Sequence, residues 1–249
     1  MDLPSELLEE IINYVPGGKI YVRNCSLVAK SWVYPSRRRL FNTVFVWGYR
    51  DLKLWLGTIS PTNVGVLQHI HSLHCKFPHP PCSPRPPVDL LRDYWPSFRQ
   101  LEHLTLITGF LPSLPLIGTF SAFKNTLLRL SLRYCSVTTS GLVTLVNYFP
   151  NLAHLDLSNT SCWVDGQPTP PLSRLLQKLT ITGYSTGDGR GLLDQVMGLG
   201  PHSEDVTICM YQHSNPSLAQ RIIDGVGTSV KYLYLESYPT GVCNAPKIV

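Results

Sequence analysis

His69, His71, His74, Cys75, His79 and Cys82 fall within fourteen residues, and imidazole and thiolate are the ligands zinc takes. A closed zinc site needs four ligands converging on one point, usually delivered as paired ligands at short fixed spacing. This run matches no such module. His79 and Cys82 stand in "PHPPCSPRPP" (78–87), a proline-rich stretch that reads as an extended loop. A second candidate is "TITGYSTGDGRGLLDQV" (180–196), in which Gly187, Gly189 and Gly191 imitate a dinucleotide-binding turn between strand and helix. Their spacing is G-x-G-x-G, not G-x-G-x-x-G, and the unit does not open a βαβ fold. Glycines supplying positive φ in a turn account for it more simply. The chain carries no phosphate loop, nucleophile elbow or HExxH pair, so the sequence predicts neither an enzyme nor a resident metal or cofactor.

Stepping from these residues to the elements around them brings out a repeat. The frame apolar-x-x-apolar-x-apolar occurs at 41–46, 70–75, 101–106, 127–132, 152–157, 176–181 and 230–235. "SEDVTI" (203–208) follows it except for Ser203 in the first slot. The fourth position falls at residues 44, 73, 104, 130, 155, 179, 206 and 233, a near-constant interval. "LLRLSL" (127–132) shows the mixed spacing. Its step of two is a strand that buries alternate side chains, and its step of three carries the chain around a corner. This resembles the leucine-rich repeat. The resemblance implies a solenoid of about eight irregular coils over residues 44–249, its parallel strands forming one curved sheet. A doubly wound α/β sheet would show the same alternation, but coils this short leave little room for its crossovers. Helices are expected in the return limbs at 138–151, 190–200 and 215–227. Only Cys135 fills the slot where the repeat places Asn or Cys, so the corners are expected to be irregular. After the last frame only residues 236–249 remain, ending in "TGVCNAPKIV" (240–249) without a polar cap, so the last coil is expected to associate or fray.

Residues 1–43 do not repeat. "LPSELLEEIINYV" (3–15) places Leu7, Leu8, Ile11, Ile12 and Val15 on one side of a helix with Glu6, Glu9, Glu10 and Asn13 opposite. "IYVRNCSLVAKSW" (20–32) reads as a second amphipathic helix that Pro35 ends. Forty residues of short helix cannot bury all this apolar surface alone, so a partner is expected. The blocks Leu3-Pro4-x-Glu6-Leu7-Leu8-x-x-Ile11, Cys25-Ser26-Leu27-Val28-x-x-x-Trp32 and Arg38-x-Leu40-Phe41 resemble, in that order, an F-box. That resemblance implies docking on the Skp adaptor of a cullin-based SCF ubiquitin ligase, with the repeats holding a target protein for ubiquitin-dependent degradation. Leu3, Pro4, Leu7, Leu8, Ile11, Leu27, Val28 and Trp32 are then the adaptor-binding or F-box-core positions. The competing expectation is a leucine-rich-repeat scaffold that binds a protein with no link to ubiquitination.

Charge narrows the partner class. The 249 residues carry a formal charge of +5, of which +3 lies in residues 1–50 and +2 in the rest. No basic stripe runs along the repeats, which argues against nucleic acid. "RRR" (37–39) reads as a solvated helix face. No apolar run approaches a membrane span, and the acidic amphipathic N-terminus is not a signal peptide. Cytoplasm or nucleus is the expected compartment, where the seven cysteines stay reduced. Outward strand positions offer the expected target-binding face: Arg129, Arg133, His154, Asp156, Lys178, Tyr232, Tyr234 and Glu236 above all.

Overall fold

The computed structural model describes residues 3–15, 19–58, 61–76, 94–107, 117–163, 176–184, 203–211, 220, 224 and 230–238. Helices α1 (Ser5–Tyr14), α2 (Lys19–Cys25) and α3 (Lys30–Phe41) come first. Strands β1 (Thr43–Trp47), β2 (Ser72–Lys76), β3 (His103–Ile107), β4 (Arg129–Arg133), β6 (His154–Ser158), β8 (Leu176–Tyr184), β9 (Ser203–Tyr211) and β10 (Tyr232–Tyr238) form one sheet. Every pairing in it is parallel, and its order is the order of the chain. A doubly wound sheet would reverse direction at a switch point, and this one does not. The short strands β5 (Ser136–Thr138) and β7 (Ser161–Trp163) pair in a second parallel sheet just beyond the first. Among the described residues no helix is long and apolar enough to cross a membrane.

The repeated frame is visible atom by atom. One register row runs Val44–Leu73–Leu104–Leu130–Leu155–Leu179–Val206–Leu233, and Val46, Cys75, Leu106, Leu132, Leu157, Ile181 and Ile208 make the next inward row. From β1 to β9 these side chains are buried, whereas Leu233 on β10 is exposed. The first slot of the frame adds Ile70, Leu101, Leu127, Leu152 and Leu176, all buried. Entry to β2, β3, β4, β6 and β8 uses one forked bond each: the Asn42 carbonyl accepts from the amides of His71 and Ser72. The His71, Glu102, Leu128 and Ala153 carbonyls do the same for Glu102/His103, Leu128/Arg129, Ala153/His154 and Gln177/Lys178. The corner backbone is thus satisfied by the neighbouring coil, as buried amides require.

Two corners, those after β4 and β6, are alike. Tyr134 (φ 53°) and Asn159 (φ 50°) take the left-handed conformation in successive coils. Their amides donate to the carbonyls of Ser158 and Thr182 in the next coil. In the slot that follows, Cys135 Sγ donates to the Leu106 carbonyl at 3.7 Å and Thr160 Oγ1 to the Leu132 carbonyl at 2.9 Å. A thiol and a hydroxyl do here what the amide of Asn would do.

Return limbs vary with the room available. Three are 3-10 helices (Pro61–His69, Trp95–Ser97 and Ile117–Phe123), and α4 (Gly48–Thr58) follows β1. The helix expected at 138–151 is α5 (Thr139–Tyr148), capped by Thr138, whose Oγ1 accepts from the Gly141 amide at 3.1 Å. Segment 190–200 and most of 215–227 lie outside the described residues, as does the proline-rich loop 78–87. Beneath the limbs Trp95, Phe98, Phe120, Phe123 and Phe149 pack ring against ring, with Phe123 and Phe149 stacked at 6.0 Å.

In the head, the single helix expected over 20–32 is two. Ser26, Leu27 and Val28 form a turn whose amides bond to Arg23, Asn24 and Cys25 carbonyls, and Ser26 Oγ also donates to the Arg23 carbonyl at 2.6 Å. A serine competing for its own backbone is a helix breaker. Ala29 is extended (φ −156°, ψ 161°), and α3 starts afresh. Pro35 does not end a helix but sits inside α3, where its buried ring offsets the lost bond. Glu9 and Arg38 tie α1 to α3 through two contacts of 3.0 and 2.9 Å from one guanidinium nitrogen.

Candidate functional site

The head exposes one part of its apolar surface and buries another. Helix α1 turns Leu8 and Ile12 inward and leaves Leu3, Leu7, Ile11 and Tyr14 in solvent. Val22 of α2 is buried while Ile20 and Tyr21 are not. In the turn before α3, Leu27 and Val28 are 78% and 67% exposed. Of the residues singled out from sequence, Leu3, Pro4, Leu7, Ile11, Leu27 and Val28 are therefore at the surface, Leu8 is core, and Trp32 is half-buried. Covering what remains exposed of any one of them is worth up to roughly 1.5–3 kcal/mol.

The second surface is the side of the sheet opposite the buried rows. Register aligns His103, Arg129, His154, Lys178, Asp205 and Tyr232 in one row and Thr105, Ser131, Asp156, Thr180, Thr207 and Tyr234 in the next. Arg133, Ser158, Thr182, Cys209 and Glu236 follow two residues on; the Glu236 side chain lies outside the described ones. Asp156 is a hub. Its Oδ2 accepts from Ser131 Oγ at 2.9 Å and Arg133 Nη2 at 3.1 Å, and its Oδ1 from Ser158 Oγ at 2.7 Å. Lys178 Nζ lies 3.4 Å from Asp205 Oδ2. Tyr232 and Tyr234 are exposed on β10. His154 is held below its usual value by burial, then by Arg129, Lys178 and His103, against a smaller opposite pull from Asp205.

The histidine–cysteine cluster is divided between faces. Cys75 is an inward, fully buried residue whose thiol burial pushes up to about 12. His69 is buried edge-on against Tyr34 at 5.0 Å. His71 Nδ1 meets Glu102 Oε1 at 3.0 Å, and His74 stands on the opposite side of the sheet from Cys75. No group of three or more His, Cys, Asp or Glu among the described residues is arranged to hold a metal ion. His79, Cys82 and Gly187–Gly191 lie outside them. Between the head and the first strands is a cavity of about 310 Å³, lined by Glu9, Asn13, Pro35, Arg38, Arg39, Asn42 and His71.

Sequence reasoning began the outward face at β3 and so missed its first two strands. Phe45 and Trp47 on β1 are 52% and 53% exposed on that same side. Phe45 stacks on His74 at 4.6 Å, and Lys76 Nζ sits 5.2 Å from the Trp47 ring. The period of two already placed both aromatics outward in "FNTVFVW" (41–47). No protein-family model matches this chain, and no curated protein is significantly similar to it.

Proposed function

We propose that the chain is a substrate-recognition subunit of an SCF-type ubiquitin ligase, acting in the cytoplasm or nucleus. Residues 1–43 are on this reading an F-box that binds the Skp adaptor, and residues 44–249 a leucine-rich-repeat solenoid that holds a target protein. The observation that carries the reading is the exposed apolar surface of the head, because it coincides with the residues of the F-box resemblance. A cap whose whole task was to seal the stack would turn Leu7, Ile11, Leu27 and Val28 inward, and they are exposed. The parallel strands in chain order, each coil bonded to its neighbours, support the repeat half of the reading. The subunit does no chemistry itself. It raises the local concentration of target beside ubiquitin-transfer machinery carried by other subunits.

Co-expression of the full chain with a Skp-type adaptor tests the proposal. An intact complex is expected, lost with Leu7→Asp or Leu27→Asp while the melting transition of the variant stays that of the parent. Failure of the parent to form any complex at about 10 μM would overturn it, since that sets the affinity weaker than about −7 kcal/mol.

A further inference from the structure

The outward face of the sheet changes character along its length. At the β1 end it is aromatic: Phe45 and Trp47 are half exposed, and Phe45 is held flat against His74. From β2 to β8 its outward positions carry four cations, Lys76, Arg129, Arg133 and Lys178, against one carboxylate, Asp156. That carboxylate is already engaged by Arg133 and two serines. The Arg129 guanidinium is exposed and has no ion-pair or hydrogen-bond partner among the described residues. It faces His154, with Lys178 one strand further on, itself paired with Asp205 of β9 at 3.4 Å.

We infer that this face takes an extended segment of a target protein running across the strands, with an apolar side chain over Phe45 and Trp47 and a carboxylate side chain over Arg129. The inference rests on the reading of residues 44–249 as the target-holding part. Strand spacing sets the ruler. From Phe45 on β1 to Arg129 on β4 is three strand separations and two residues along the strand, about 16 Å at about 4.8 Å per strand and 3.3 Å per residue. An extended peptide covers that distance in about five residues, and side chains on one face of it are an even number of positions apart, so separations of four or six fit. The required motif is therefore an apolar residue followed four or six positions later by Asp or Glu. Charge complementarity selects the occupant at the second position, since a lysine there would be repelled by the Arg129 guanidinium. The aromatic end selects at the first, where rigid rings give contact area at small entropic cost.

Panning a displayed library of random peptides of about 12 residues, long enough to span the face, over the immobilised full chain tests this directly. The expected result is an enriched pair of an apolar and an acidic residue four or six positions apart. Arg129→Glu should abolish the acidic preference and weaken a selected synthetic peptide by about tenfold or more. Phe45→Ser should relax the apolar position and leave the acidic one. Arg129 is exposed, so circular dichroism and melting of its variant should match the parent, whereas Phe45→Ser, which removes a ring packed on His74, should keep the parent's circular dichroism. An enriched pattern unchanged by Arg129→Glu, or no pattern at all, would overturn the inference. Adaptor binding of the same variants is scored alongside. Its retention confines the failure to this face, whereas its absence in the parent chain counts against the ligase reading alone.

Discussion

His74 shows how one side chain serves packing and charge together. Its ring lies 4.6 Å from Phe45, and its Nε2 is 3.0 Å from Ser72 Oγ. Burial first, then Arg133 and His103, hold its pKa below the usual 6.5. The imidazole is thus neutral in the fold at a pH where an unfolded chain already binds a proton. Stability contributed this way is full above about pH 6.5 and is lost as the solution is acidified toward the lower folded value. His69 and His154, both lowered by burial, push in the same direction. The melting temperature is therefore expected to fall between about pH 7.5 and 5.5, and His74→Gln to lose less over that interval than the parent. Thermal melts of both proteins across the range check it; parallel curves would contradict it. His74 was legible in the sequence as a histidine at a strand. Its ring stacking was not, because Phe45 lies 29 residues upstream and only the register of β1 on β2 brings the two together.

At the scale of elements, the strands were plain in the sequence and the corners were not. Leu130 and Leu132, or Leu155 and Leu157, announce a strand by a period of two that no neighbour can disguise. The helix at 138–151 was equally clear, because Thr138 is a preferred cap and the apolar spacing behind it is helical. The break at Ser26–Val28 escaped notice since Tyr21, Cys25, Val28 and Trp32 keep helical spacing straight through it. What decides there is a local hydroxyl-to-carbonyl bond that periodicity does not register. The aromatic layer of Phe98, Phe123 and Phe149 left a faint signal, an aromatic three or four residues before the first apolar slot of three successive frames. Corner satisfaction by Cys135 and Thr160 depends on the reach of each side chain into the preceding coil. Thr160→Val keeps the shape and removes the donor to the Leu132 carbonyl. It is expected to cost about 1–3 kcal/mol, the penalty for a carbonyl left short of its partner. Urea unfolding measures that change; one within experimental error of zero would show that water replaces the hydroxyl without loss.

For the whole molecule, the two exposed surfaces imply a division of labour. The head commits Leu8, Ile12 and Val22 to its own core and leaves Leu7, Ile11, Leu27 and Val28 exposed. The sheet commits its leucines to neighbouring coils and leaves hydroxyls, cations and aromatics outward. From the sequence the head's apolar excess was evident, but which residues were core and which surface was not. Leu7 and Leu8 are adjacent leucines, and only the packing of α1 on α3 tells them apart. The repeats were evident too, yet their outward face was legible only as a mixture, because net charge conceals where cations and carboxylates fall on particular strands.

The measurement that bears most directly on this account is amide hydrogen exchange in the full chain, with and without saturating Skp-type adaptor. The account predicts slower exchange confined to 5–14 and 26–28, with β4 and β6 unchanged. Protection in the strands instead of the head, or no change anywhere, would contradict it.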